Sequence, residues 1–475
     1  MPRLSPIDAA FLRMESPRTP MHVGGLLTFR LPAGAPPDWL QKTFAFMKSQ
    51  PVTAPPFNWR LADGALRRVA PKWEEADELD LDYHLRHSAL PWPGGERELG
   101  ILVSRLHSHP MDLTRPLWEC HLIEGLENGR FAVYLKAHHA AVDGVGALKH
   151  IRNWLSEDPA HDSAAGPWAL PPRPAEADAD LPRSDVFRSA LEAIGHQLRS
   201  AGQLAATLRR MAMPRDNPEG GLLSAFATPR SAFNVRVSPQ RRLATQLFEL
   251  DRLKRVASAA GVTLNDLMLA LAGGALRRYL LEIHALPAQP LIASVPVALP
   301  RADGKPGNAV AGFVVPLVTQ DANARKRLRR IQAVTSRTKE QLRHLSPGAL
   351  NQFSLLGIAP LLLSQITGLS LRLRPLFNIV VSNVVGSRNK LYFRGAELEA
   401  MYPVSVLFDG YALNLSIVGY GDRVTVGYTG CREALPSLQR LAVYTGEELA
   451  ALEAAVLGKP AVARPRMRKK KSAGR

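Results

Sequence analysis

Two blocks of alternating strand-like and helix-like sequence flank residues 157–183, a stretch with six prolines among alanines and alternating acids. Such a stretch carries neither the period-2 nor the period-3.6 apolar repeat, so it joins folded units rather than forming one. In the first block, 22–30 (HVGGLLTFR) and 131–137 read as strands. In the second of these, Phe131, Val133 and Leu135 alternate with Ala132, Tyr134 and Lys136. A helical repeat follows at about 145–155. After the prolines, a basic amphipathic helix is expected over roughly 185–213. The second block opens near 230 with a strand at 243–249 and a helix at about 251–260. Thr263 then caps a helix carrying Leu267, Leu269, Leu271, Leu276 and Leu281. Further strands are expected at 291–297, 311–318, 377–384, 412–418 and 423–428, and a last helix at about 435–456. This order predicts an α/β protein of two subdomains with mixed sheets. The expected division is 1–156, a proline-rich linker and crossover helix at 157–225, a second subdomain at 226–458, and a basic, disordered tail at 459–475.

Charge narrows the possible partners. Lys and Arg number 60 against 42 Asp and Glu, a formal net charge of +18. Eight of those units lie in 459–475, which contains no acid. A second cluster, from Arg325 to Arg343, falls on a helical stretch. The rest is close to neutral and has no basic strip interleaved with aromatics, which argues against specific nucleic-acid binding. Cys120 and Cys431 are the two cysteines of the chain, too few for a disulfide framework or a cysteine zinc site. They fit a reducing, cytoplasmic setting. Arg13, Glu15 and Arg18 interrupt any signal-peptide core. The longest stretch free of Asp, Glu, Lys and Arg, His344–Leu371, is broken by Pro347, Asn351, Pro360 and Gln365. It reads as a buried helix pair or an amphipathic helix against lipid, not as a membrane span.

The segment with chemical content is Ala137-His138-His139-Ala140-Ala141-Val142-Asp143-Gly144, at the end of a strand and the start of a helix. An imidazole there can act as a general base near neutral pH, with Asp143 close in sequence and Gly144 allowing a tight turn. Other chemistries lack their parts. Gly368-Leu369-Ser370-Leu371-Arg372 misses the final glycine of a nucleophile elbow, and Gly144-Val145-Gly146 falls short of a dinucleotide fingerprint. His139 and Asp143 lack a third ligand at metal-site spacing, so no metal is expected.

The HHAAVDG segment matches the HHxxxDG signature of acyltransferases built like chloramphenicol acetyltransferase and peptide-synthetase condensation domains. Leu4-Ser5-Pro6-Ile7-Asp8-Ala9-Ala10-Phe11-Leu12, Pro20-Met21-His22-Val23-Gly24-Gly25 and Arg115-Pro116-Leu117-Trp118-Glu119 narrow the match. So do Phe233-Asn234 with Arg241-Arg242, Leu264-Asn265-Asp266, Ser294-Val295-Pro296-Val297 and Gly307-Asn308. Val381-Ser382-Asn383-Val384, Tyr402-Pro403-Val404-Ser405 and Leu413-Asn414 complete the set. Over about residues 4–456 the chain resembles the wax ester synthase/diacylglycerol acyltransferase family. One departure is Val385-Gly386-Ser387, where the family usually has a Pro-Gly-Pro-like turn.

The resemblance implies two chloramphenicol-acetyltransferase-like subdomains with an active-site tunnel at their interface. It implies transfer of a long-chain acyl group from acyl-CoA, a co-substrate rather than a bound cofactor, to a fatty alcohol or diacylglycerol. His139 would be the general base, and His138 would support its geometry. Asp143 would either hold the loop or orient the imidazole. Asn265 and Gly144 are candidates for oxyanion stabilisation or substrate positioning, with an ordinary helix cap as the other reading of Asn265. Trp118 would pack under the active-site strand or line the tunnel, and Cys120 would be core. The 325–343 cluster would bind CoA phosphates or form a solvated helix face. Attachment to an anionic membrane or a lipid inclusion is expected, through apolar residues near 345–371 and basic side chains. Two other readings are a related acyltransferase with a different hydroxyl acceptor and a non-enzymatic lipid-surface protein.

Overall fold

The computed structural model describes residues 4, 6–64, 71–170, 228–300, 306–343 and 360–458. Of the linker and crossover helix expected at 157–225, residues 171–225 lie outside the described residues, as do the tail at 459–475 and residues 344–359 of the apolar stretch.

The first half runs α1 (Pro6–Met14), β1 (His22–Arg30), α2 (Trp39–Ser49), β2 (Trp59–Leu61), β3 (Trp73–Glu75) and α3 (Leu81–His84). It continues with β4 (Leu85–Ala89), α4 (Glu96–Ser108), β5 (Trp118–Leu126), β6 (Arg130–His138) and α5 (Gly144–Trp154). The second half runs β7 (Arg241–Glu249), α6 (Leu250–Ala260), α7 (Leu264–Glu282), β8 (Ile292–Pro300), β9 (Pro306–Pro316) and α8 (Ala324–Arg343). A short helix at 360–366 precedes β10 (Ile379–Val385), β11 (Tyr392–Phe393), β12 (Ala396–Val404), β13 (Leu413–Tyr420), β14 (Arg423–Cys431) and α9 (Gln439–Leu457).

Two six-stranded sheets result, in the orders β11-β12-β1-β6-β5-β4 and β7-β14-β13-β10-β8-β9. Both are mixed. β4 runs parallel to β5 in the first sheet, and β10 runs parallel to β8 and β13 in the second. The division expected at 226 follows the chain and not the sheets. β11 and β12, from the second half, belong to the first sheet, where β12 pairs antiparallel with β1 from Gly24↔Val404 to Arg30↔Glu397. β12 also lies against β13 and β14, so it stitches the two halves together. Gly427 makes that approach possible, because a Cβ there would stand 2.1 Å from the Pro403 carbonyl oxygen.

Helices cover one face of the second sheet and both faces of the first, with α2 and α5 on one side and α4 on the other. α7 is apolar nearly all round and buried beneath the second sheet with α6 and α9. Its start follows the capping-box rule: Thr263 Oγ1 accepts from the Asp266 N–H, and Asp266 Oδ2 accepts from the Thr263 N–H at 3.1 Å. Among the described residues no single helix is long and apolar enough to cross a membrane. α6 and α7, bent by 96°, pass jointly on length and composition, and α7 is core.

Candidate active site

Strand alternation decides which way each residue of the HHAAVDG segment faces. On β6, Leu135 and Ala137 point to the side covered by α5, while Tyr134, Lys136 and His138 point to the opposite side, under α4. His138 is therefore turned away from the open side. Its Nδ1 accepts from the Ala140 N–H at 3.0 Å, which places the ring proton on Nε2, and Nε2 faces Glu15 Oε2 at 3.3 Å. Glu15 Oε2 also accepts from the Met21 N–H at 2.5 Å, and the Met21 carbonyl accepts from the His139 N–H at 2.8 Å. Glu15, Met21 and the two histidines thus lock the start of β1 to the end of β6.

His139 lies on the open side. It lines a cavity of about 310 Å³ between α5, the first sheet and the bare face of the second sheet. Its ring stacks on Phe11 of α1. Burial lowers its pKa below the ordinary histidine value of 6.5; the Asp143 charge works against that and His138 adds to it. The imidazole is therefore neutral at pH 7. The cavity walls are mainly apolar: Gly24 and Gly25 of β1, Leu135, Leu148, Ile151, Val404 and Ile417. Gly24 has no alternative, because a Cβ would meet the Tyr134 ring at 2.7 Å. A few polar groups interrupt the walls. Ser405 Oγ and Ser416 Oγ are 2.7 Å apart, and Ser416 donates to Asn414 Oδ1 at 3.1 Å.

Asp143 is the N-cap of α5. Its Oδ1 accepts from the Gly146 N–H at 2.6 Å, and its backbone is extended as a cap requires. Gly144 is the first residue of the helix and lines the cavity, and open space surrounds the position a Cβ would take. Its backbone avoids the left-handed region, so the turn does not need the glycine-only conformation expected of it.

Asn265 is not brought to His139. β10 turns Val380, Ser382 and Val384 to the cavity, so Asn383 faces the helix-covered side together with Ile379 and Val381. Asn383 meets Asn265 there, its Nδ2 donating to Asn265 Oδ1 at 3.5 Å. Trp118 does both things expected of it. It is buried against Trp168 and His84 with its Nε1 donating to the Phe57 carbonyl, and it also touches the cavity. Cys120 is fully buried, and burial pushes its thiol pKa well up, so it is inert. The basic α8 packs on α7 and α9 and contributes nothing to the cavity among the described residues, and its Arg327 is turned inward to Glu448. Among the described residues no group of three His, Cys, Asp or Glu could hold a metal ion.

Sequence reasoning did not single out Phe11 as a cover for His139, Glu15 as the partner of His138, or the Ser405–Ser416 pair. The motifs holding Phe11, Ser405 and Asn414 were the available signal, but their pairing depends on the crossover of β12.

Two sequence families divide the chain: residues 4–268 match the wax ester synthase/diacylglycerol acyltransferase catalytic domain, and residues 306–453 match the corresponding C-terminal domain. The O-acyltransferase WSD of Acinetobacter baylyi is 37% identical over 454 residues, covering 95% of this chain and 97% of that protein. The wax ester synthase/diacylglycerol acyltransferase of Marinobacter aquaeolei superposes with a TM-score of 0.78 at 38% identity, over 96% of this chain and 100% of that one. The first condensation domain of the calcium-dependent antibiotic synthetase shares the fold alone. Its TM-score is 0.53 at 16% identity, covering 97% of this chain and 98% of the other.

Proposed function

The chain belongs to the wax ester synthase/diacylglycerol acyltransferase family, and from that premise we propose that His139 is the base that activates the acceptor hydroxyl. The protein is an acyl-CoA-dependent O-acyltransferase. The observation that carries the reading is the neutral His139 imidazole on the wall of an apolar cavity, beside the first turn of α5.

An alcohol is a poor nucleophile at pH 7, so its proton must leave as its oxygen attacks the thioester carbonyl carbon. His139 takes that proton, the C–S bond of the tetrahedral intermediate breaks, and the imidazolium returns the proton to the CoA thiolate. No acyl-enzyme is required. The intermediate's oxyanion needs donors. The first N–H groups of a helix have no partner within it, and Gly144 offers one with room beside it. We assign the oxyanion to this end of α5 and give Asn265 no part in it. Asp143 holds the turn by capping α5, and His138 anchors it through Glu15.

The acceptor is a lipid, and the surface near His139 suits one. Phe408 lines the cavity and packs against the cluster that holds Leu362 of the 360–366 helix. That helix and the following turn expose Leu363, Ile366, Leu369 and Leu373, each at 40% or more, beside Arg372 and Arg374. Arg230 braces the turn by donating to the carbonyls of Leu371 and Leu373, both at 3.0 Å. Apolar side chains ringed by cations fit peripheral attachment to an anionic membrane or a lipid inclusion.

The test is CoA release by the purified protein from palmitoyl-CoA with hexadecanol and diacylglycerol offered together. Release that needs either acceptor and disappears in His139→Ala supports the proposal. No release with either acceptor points to a different hydroxyl substrate, and turnover retained in His139→Ala removes the base assignment.

A further inference from the structure

The cavity at His139 is one end of a longer passage. In the second sheet, Val380 pairs with Asn414 and Val384 with Val418, so these two levels lie about 13 Å apart at roughly 3.3 Å per residue. Extended by two residues, the β1–β12 register puts Val406 level with the His22↔His138 pair, and His139 lies one residue beyond it, toward the Val380 end, where Ser405 bonds Thr429 opposite Asn414. At the Val384 end a second, wider cavity of about 940 Å³ adjoins the first and shares Leu148, His150, Val384 and Met401 with it. The lining it adds mixes apolar residues, Ala54, Pro55, Leu170, Val385 and Leu391, with Lys149, Arg152 and Asn153 of α5 and Ser387 after β10.

α5 leads from one end to the other. At about 1.5 Å per residue, Lys149 and Arg152 stand roughly 8 and 12 Å along the helix from Gly144. Both are exposed, and their i,i+3 spacing puts them on one face, at the wide mouth. An extended pantetheine arm is long enough to cover that distance.

We propose that Lys149 and Arg152 bind the phosphate groups of the acyl-CoA donor, which enters through this mouth and threads its pantetheine arm along the passage to His139. The proposal rests on the acyltransferase reading. The two substrate classes differ in charge: the lipid acceptor has none, and the donor carries several phosphates. A lysine and an arginine on one face match the donor, the first as a point charge and the second as a bidentate fork. The other end meets Phe408 and the exposed leucines of 363–373, which suit the uncharged acceptor. The two substrates thus reach His139 from opposite ends.

The test uses the full chain. CoA binding is measured by calorimetry, and kcat/KM is compared for palmitoyl-CoA and palmitoyl-pantetheine, which lacks the nucleotide phosphates. In the K149A/R152A variant, CoA affinity falls about tenfold or more. The kcat/KM ratio of palmitoyl-CoA to palmitoyl-pantetheine falls by a similar factor, while the KM for hexadecanol holds. In R325A/R329A, on the exposed face of α8, affinity and ratio are unchanged. The proposal is overturned if CoA does not bind the wild type, if K149A/R152A keeps the wild-type ratio, or if R325A/R329A loses it. Wild-type protein that binds CoA through these residues without turning over palmitoyl-CoA would count against the acyltransferase reading and leave the phosphate site standing.

Discussion

The ring of Phe11 lies flat on the imidazole of His139, with centroids 4.1 Å apart and planes 12° from parallel. This contact, made by a helix at the start of the chain, covers one face of the proposed base and helps keep water from it. Burial lowers the His139 pKa below 6.5, and a histidine base works while neutral. The sign follows: kcat/KM holds as pH falls through 6.5 and declines only below it. Phe11→Ala exposes the ring, so the acid limb moves up toward 6.5. Loss of an aromatic contact of about 1 kcal/mol lowers kcat roughly fivefold. A pH–rate profile of the variant checks both, and an unmoved limb would separate Phe11 from the chemistry.

The two adjacent histidines are expected to fail differently. His139→Ala removes the general base and costs roughly 10²–10⁴ in kcat with little change in Tm. His138→Ala leaves the Ala140 N–H without its acceptor and removes the imidazole facing Glu15, and it costs stability, about 1–3 kcal/mol. Glu15→Gln and His138→Ala should be non-additive in Tm, because they break the same contact. A double-mutant thermal cycle checks it, and full additivity would dissolve the pairing.

Asp143→Asn distinguishes capping from electrostatics. Asparagine caps a helix as well as aspartate does, so a residue acting through the Gly146 N–H bond tolerates the change and Asp143→Ala does not. Asp143→Asn should keep activity within a few-fold, while Asp143→Ala loses about 1 kcal/mol of stability and most of the turnover. Equal damage from both substitutions, in kcat and circular dichroism, would show that the negative charge acts on His139.

Much of this was legible in the residues, and the failures have physical causes. The alternation on β6, the Thr263 cap of α7 and the strand at 22–30 are local patterns, and they formed where expected. β12 was missed. Its sequence, AELEAMYPV, mixes charged and apolar residues, and its place beside β1 is a long-range pairing that no local period encodes. Missing β12 hid the Ser405–Ser416 contact. Asn265 looked like an oxyanion donor because it opens a helix, but which side of β10 that helix covers is a tertiary fact. Asp143 was the intermediate case: cap and orienter both fit its spacing, and the Gly146 contact supports the cap.

Behind the active-site strand, Lys136 is fully buried, with its Nζ 3.3 Å from Glu119 Oε2 and 2.8 Å from the His109 carbonyl oxygen. Burial alone would raise the Glu119 carboxyl, but the His121 contact and the Lys136 charge bring it down to about 2. A carboxylate depressed in the folded state contributes stability above its unfolded value of 4.5, and that contribution is lost as pH falls from there toward 2. Thermal stability should therefore drop across that window in the wild type, and Glu119→Gln should flatten the drop. At pH 7 the same substitution leaves a buried ammonium unpaired and costs about 3–5 kcal/mol. Burial already lowers the Lys136 pKa, and without Glu119 it falls further, so raising the pH restores part of the loss by discharging the amine. E119Q/K136M, which removes both charges, should be more stable than E119Q alone. Denaturant melts of the three proteins at pH 3, 7 and 9 measure each part, and an E119Q/K136M protein no more stable than E119Q would mean that the pair contributes through packing and not through charge.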